Sequence, residues 1–267
     1  MSPEATTILT PTEVSYDFTE TRSRDGPMCV LKDFAGYVQA DAYSGYDELF
    51  RVSEAREVGC WAHAKRKFDD AMETDPESAG QALATIRKLY DIESKATQEQ
   101  SSPDRRRDLR QRDARPILDA LKDWLDAEAL RVQQRSPIDK AIGYVLNQWD
   151  ALTRYLEDGR LEIDNNRAER MMKPVAIGRK NDLFVYSTET GKKSAIIMSI
   201  VESCKAIDLD PAFYLCDVLQ ALRQNPEPNI AELVPAAWQA RHNEDAERKA
   251  ARAAAVAKVA EAILAAR

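Results

Sequence analysis

From about Lys65 to Arg135 the apolar residues recur at a helical period, which restricts the chain to folds carrying one large helical block. Ala82, Ile86, Leu89 and Tyr90 keep one face, and Ile117, Leu118, Leu121, Trp124 and Leu125 another. Ser101-Ser-Pro-Asp104 interrupts the run. Arg105 to Arg115 then carries six arginines against Asp104, Asp108 and Asp113. That pattern suits a solvated face laced with ion pairs, or a strip tracking a nucleic-acid backbone.

Strand signals precede this block. Residues 1 to 12 hold Thr and Pro without periodicity and read as a loose end. Thr12 to Thr19 sets Val14, Tyr16 and Phe18 against polar neighbours, the alternation of a half-buried strand. Arg22 to Pro27 reads as a turn and Met28 to Phe34 as a short helix. Tyr37-Val-Gln-Ala-Asp41 is a second strand, and Ala42-Tyr-Ser-Gly-Tyr46 turns away from its carboxyl end. Glu57 to Trp61 is a third, leading into a helix through His63 to Phe68.

Beyond the block, Ile142, Val145, Leu146 and Trp149 line a helix that starts at Ser136-Pro137 and stops by Gly159. Leu183 to Tyr186 is strand-like, Lys193 to Ile207 is an apolar helix, and Asp210-Pro211 opens another. The Ala-rich stretch from Asn243 to Arg267 reads as a helix that projects or pairs with a partner. The class expected is α/β.

The net charge of −7 argues mildly against a nucleic-acid partner, yet the charge is uneven. Between Arg160 and Lys193 eight bases face five acids, a locally basic patch. The apolar runs are too short to cross a bilayer, and Met1-Ser-Pro-Glu-Ala lacks the basic flank and apolar core of a leader. Cys29, Cys60, Cys204 and Cys216 are irregularly spaced and read as reduced thiols of a cytoplasmic protein. Cys60 and His63 make half a zinc site at best, because no second pair has ligand spacing.

Most of the chemistry concentrates in Ile163-Asp-Asn-Asn-Arg-Ala-Glu-Arg-Met-Met-Lys-Pro174 and Gly178-Arg-Lys-Asn181. Ala168, Met171, Met172 and Val175 mark a buried helix face, with Asn165, Glu169 and Lys173 along its edge. Asn166 with Glu169 also has the form of a capping box, in which the glutamate only satisfies backbone donors. Asp41 stands at the carboxyl end of a strand, where α/β folds gather chemistry, or else caps a turn.

Four phrases together resemble the insertion-sequence 66 family of bacterial transposases. They are Leu31 to Tyr46, Cys60 to Phe68, Ile163 to Pro174 with Gly178 to Asn181, and Asp210 to Leu215, in the family's order. The resemblance implies an incomplete ribonuclease-H-like mixed-sheet core with a large all-helical insertion and a helical C-terminal region. The implied division is 1–62 and 141–208 for the core, 63–140 for the insertion and 209–267 for the C-terminal region.

It also implies DDE chemistry, in which two aspartates and a glutamate hold two Mg²⁺ or Mn²⁺ ions that drive in-line attack on a DNA phosphodiester. By motif position Asp41 is the second aspartate and Glu169 the glutamate. His63, Asn165, Arg170, Arg179 and Lys180 are candidate DNA-binding or site-orienting residues. The first aspartate belongs to an Asp-Glu-Thr phrase, which this sequence lacks, and Asp17 lies in the wrong strand to replace it.

The expectation is therefore a DNA transposition enzyme of an insertion sequence that is inactive alone. Its partners would be transposon ends and target DNA, with a homo-oligomer or separately encoded transposase parts, and no membrane. The alternatives are a non-catalytic DNA-binding or regulatory remnant, and a helical interaction protein whose acids are only surface groups.

Overall fold

The computed structural model describes residues 4–9, 13–19, 25–181, 187–225 and 227–244. In chain order it begins with β1 (Glu4–Leu9), β2 (Val14–Thr19) and α1 (Asp25–Leu31), followed by β3 (Gly36–Gln39), α2 (Asp47–Val52), β4 (Ala55–Val58) and α3 (Trp61–Ala71). The helical block consists of α4 (Pro76–Gln98), α5 (Pro103–Leu109), a π-turn over Arg110–Ala114 and α6 (Arg115–Ala129). After it come α7 (Pro137–Asn147), α8 (Trp149–Thr153), α9 (Asn166–Asn181), α10 (Thr188–Ala206), α11 (Pro211–Gln224) and α12 (Ile230–Leu233).

Helices dominate, and the strands among the described residues pair as β1 with β2 antiparallel and β3 with β4 parallel. The loose end expected over residues 1–12 is corrected, since Glu4–Leu9 pairs with β2 from Glu4↔Thr19 to Leu9↔Val14. Its Thr-Thr-Ile run is rich in β-branched residues, which favour extended backbone. The first helix starts at Asp25, inside the stretch read as a turn. The strand expected at Leu183–Tyr186 and the tail beyond residue 244 lie outside the described residues. Among those described, no helix is long and apolar enough to cross a membrane.

The chain divides into two compact units, residues 22–170 and residues 1–21 with 171–267. In the first, α3 is the organising element. Trp61, Ala64, Phe68 and Ala71 recur at helical spacing and are buried to 1% exposure or less, against Ile86 and Leu89 of α4, Leu118 and Leu125 of α6, and Ile142 and Val145 of α7. Capping follows local chemistry: Asp75, Ser102 and Ser136 each precede a proline and accept a backbone N–H at the start of α4, α5 and α7.

The arginine-rich segment largely follows the ion-pair reading. Arg105 pairs with Glu99, Arg107 with Asp104 and Asp108, and Arg112 with Asp113. Arg110 departs from it: its side chain is fully buried and grips Glu93 with both Nε and Nη2, at 2.7 and 2.8 Å.

In the second unit, α10 packs on β2, whose outward backbone groups are met by helix hydroxyls. Ser203 Oγ accepts the Val14 N–H at 2.9 Å and donates to the Val14 carbonyl at 3.0 Å, while Ser199 Oγ accepts the Tyr16 N–H at 2.8 Å. Gly191 is required where α10 crosses the strand, because a Cβ there would lie 2.4 Å from the Phe18 ring. Met171, Met172 and Val175 are half-buried against Val14, Tyr16 and Ala195, which accounts for three of the four residues expected on the inner face of α9. In α11, Asp210 caps the helix through the Ala212 and Phe213 N–H groups, and Trp238 stacks on His242 with ring centroids 3.6 Å apart.

Candidate active site

The parallel pair β3–β4 is in register from Gly36↔Ala55 to Gln39↔Val58, and the Ala40 N–H extends it by bonding the Val58 carbonyl at 3.0 Å. Both strands then leave the sheet at the same end, the edge where parallel strands leave room for a site. Asp41 follows β3 directly. It is exposed, and its Oδ1 accepts the Tyr43 N–H at 3.3 Å. The next residue, Ala42, has φ +61°, a left-handed conformation costing a side-chain-bearing residue about 1–2 kcal/mol. Strain of this kind collects where a chain must aim a functional side chain.

From β4 the chain passes through Gly59 and Cys60 into α3. A Cβ on Gly59 would come within 3.1–3.2 Å of the Ala151–Leu152 backbone, and the Gly59 N–H bonds the Ala151 carbonyl at 2.9 Å. The start of α3 is in turn fastened to the segment entering α9. The Trp61 N–H bonds the Ile163 carbonyl at 3.1 Å, and the Asn165 N–H points at Cys60 Sγ at 3.4 Å. Gln39 adds a bond to the Glu162 carbonyl at 2.9 Å.

Asp164 fixes the first turn of α9. Its Oδ1 accepts the Asn166 N–H at 3.0 Å, and its Oδ2 accepts the Asn166 side-chain amide and the Tyr90 hydroxyl, both at 2.8 Å. Glu169 is therefore not needed to cap Asn166. Its carboxylate faces α3 instead, with Oε1 3.5 Å from His63 Nε2. That separation is an electrostatic contact rather than a well-formed hydrogen bond. His63 Nδ1 and Asn165 Oδ1 are buried with no hydrogen-bond partner among the described residues.

Two tyrosine hydroxyls respond to carboxylates of this region. Burial, then the nearby Cys60, Asp41 and Glu57, hold the Tyr144 hydroxyl up to about 12. Burial and then Asp164 raise the Tyr90 hydroxyl. Burial also raises the Cys60 thiol against the opposing N–H groups of Asn165, His63 and Ala62.

Of the residues singled out from sequence, His63 and Glu169 are in contact, and Asn165 is the residue before α9. Asp41 lies at the end of β3, close enough to act on Tyr144 and Tyr46. Arg170 is exposed beside Glu169, and Arg179 and Lys180 fall in the last turn of α9, where only the backbone is described. Sequence reasoning missed Asp164 and Tyr90. An aspartate two residues before a helix is a recognisable cap signal, whereas nothing in the sequence links Tyr90 to it across 74 positions.

The donors present are hard oxygens of the type divalent cations take. Among the described residues, however, no group of three or more His, Cys, Asp and Glu side chains is arranged to hold a metal ion.

Residues 3–193 match the sequence pattern of the Transposase IS66 family, and residues 199–236 match the IS66 C-terminal element. The chain belongs to the IS66 family of transposases. It is 34% identical over 239 residues to the uncharacterized protein y4jD of Sinorhizobium fredii (strain NBRC 101917 / NGR234), covering 86% of this chain and 46% of that protein. It is also 29% identical over 246 residues to the uncharacterized protein y4hP of the same strain, covering 85% and 44%. The chain therefore spans less than half the length of these relatives. No solved structure matches it.

Proposed function

We propose that this chain is the portion of a DDE transposase that contributes Asp41 and Glu169 to a divalent-metal site on a ribonuclease-H-like core, and that alone it neither cleaves nor joins DNA. One observation carries this reading: the 3.5 Å contact with His63 turns Glu169 toward the start of α3, at the strand end from which Asp41 also emerges. When bound, a divalent ion supplies Lewis-acid activation of a water or 3′-hydroxyl and neutralises charge at the phosphate. The chain's own residues hold the carboxylates in place. Asp164, Cys60 and the Trp61 N–H fix the start of α9, and His63 restrains Glu169.

With two carboxylates the ligand shell is short of the third that the DDE pattern requires. Incubating the purified chain with plasmid DNA and Mg²⁺ or Mn²⁺ is expected to give no nicking or strand transfer. Robust metal-dependent activity that disappears in Asp41→Ala would overturn the claim of incompleteness. Robust activity retained in both Asp41→Ala and Glu169→Gln would overturn the assignment of the site.

A further inference from the structure

We propose that the outward face of α3 formed by His63, Arg66 and Lys67, continued by Arg170 of α9, is the track on which a DNA sugar–phosphate backbone lies. The polyanion is identified as DNA through the transposase reading; the track itself rests on the geometry of α3. Since Trp61, Ala64, Phe68 and Ala71 take the buried side, the helical period turns His63, Arg66, Lys67 and Asp70 to the opposite side, with Arg66 and Lys67 exposed.

Charge on this face is available to a ligand. Lys65, on the flank, is neutralised by Asp69 at 2.7 Å. Arg66 and Arg170 enter no ion pair among the described residues. Lys67 lies 5.9 Å from the centre of the Tyr144 ring, a contact that leaves its N–H donors unused. Asp70 is the one acid on the same face.

The strip also leads to the carboxylates. His63, its first member, touches Glu169, Arg170 follows Glu169 in sequence, and Tyr144 beneath Lys67 feels the charge of Asp41. A phosphate chain bound along Arg66 and Lys67 would be carried to the rim where those carboxylates stand. The rival basic segment lacks this freedom. Arg105, Arg106, Arg107, Arg110 and Arg112 all face carboxylates of their own helices or neighbours.

The test is fluorescence anisotropy of a short labelled DNA duplex with the full chain in EDTA, over a series of salt concentrations. Arg66→Glu with Lys67→Glu is expected to weaken binding about tenfold or more at low salt and to flatten the log–log salt slope by about 2, one unit per lost contact. Arg105→Glu with Arg107→Glu is expected to bind within about twofold of the unchanged chain. Arg66→Lys with Lys67→Arg, which keeps the charges, is expected to retain binding and so separates charge from folding.

Normal binding by the double Glu variant, an equal loss in the Arg105/Arg107 pair, loss of binding in the charge-conserving variant, or no binding by the unchanged chain overturns the track. In EDTA the outcome does not depend on metal at Asp41 and Glu169. A failed metal site and a failed track are therefore told apart.

Discussion

Arg110→Ala is expected to lower the stability of the chain by about 3–5 kcal/mol, because it strands the buried Glu93 carboxylate without its partner. The guanidinium donates to both Glu93 oxygens and to the carbonyls of Tyr155, Asp158 and Leu161, at 2.7–2.9 Å. It also lies 4.9 Å from the centre of the Tyr155 ring. All these acceptors other than Glu93 belong to the segment that leads into α9, so Arg110 ties the helical block to the approach of Glu169. Urea unfolding of Arg110→Ala against the unchanged chain measures the loss. Adding Glu93→Leu to Arg110→Met is expected to recover much of the stability, since apolar residues of similar volume replace buried ion pairs at little cost. A loss below about 1 kcal/mol for Arg110→Ala would mean that the pair is hydrated and the segment is held by other contacts.

Gly159→Ala is expected to cost about 3 kcal/mol, at the upper end of ordinary overpacking. A Cβ there would fall 1.8 Å from the Pro103 carbonyl oxygen and 2.6 Å from its carbon. Neither side yields easily, since Pro103 is fixed at the first turn of α5 and the carbonyls of Asp158 and Leu161 are held by Arg110. Gly80→Ala and Gly143→Ala provide the contrast. Both positions are helical with nothing within 4 Å of the new methyl, and each change is expected to be neutral or to stabilise by about 0.5–1 kcal/mol. Thermal unfolding of the three variants side by side decides the matter; equal behaviour would show that the segment around Gly159 shifts freely.

How much of this was readable in the sequence differed from one element to another. The block from α4 to α6 was legible because its apolar residues repeat at 3.6 over many turns, and so was the half-buried face of α9 through Met171, Met172 and Val175. Glu4–Leu9 was not: too short for a clear alternation, it becomes a strand by pairing with β2. The parallel partnership of β3 with β4 joins residues about one helix apart in sequence, which no local pattern encodes.

At the site, the His63–Glu169 contact joins residues 106 positions apart, and spacing alone favoured a capping role for the glutamate. Family motifs pointed to Asp41 and Glu169, while the supporting bonds of Tyr90, Cys60 and Arg110 emerge only from tertiary structure. Arg110 was the least visible. A buried arginine and its solvated neighbours look alike in sequence, and only the position of Glu93 on α4 distinguishes them.

That Asp41 and Glu169 serve one cation is tested most directly by titrating Mn²⁺ into the isotope-labelled chain and following paramagnetic broadening of backbone amide signals. The account predicts that signals around Asp41, His63 and Glu169 broaden together at low Mn²⁺, and that Asp41→Asn and Glu169→Gln each weaken the effect at both places. Broadening confined to one of the two, or unchanged by either substitution, would contradict it.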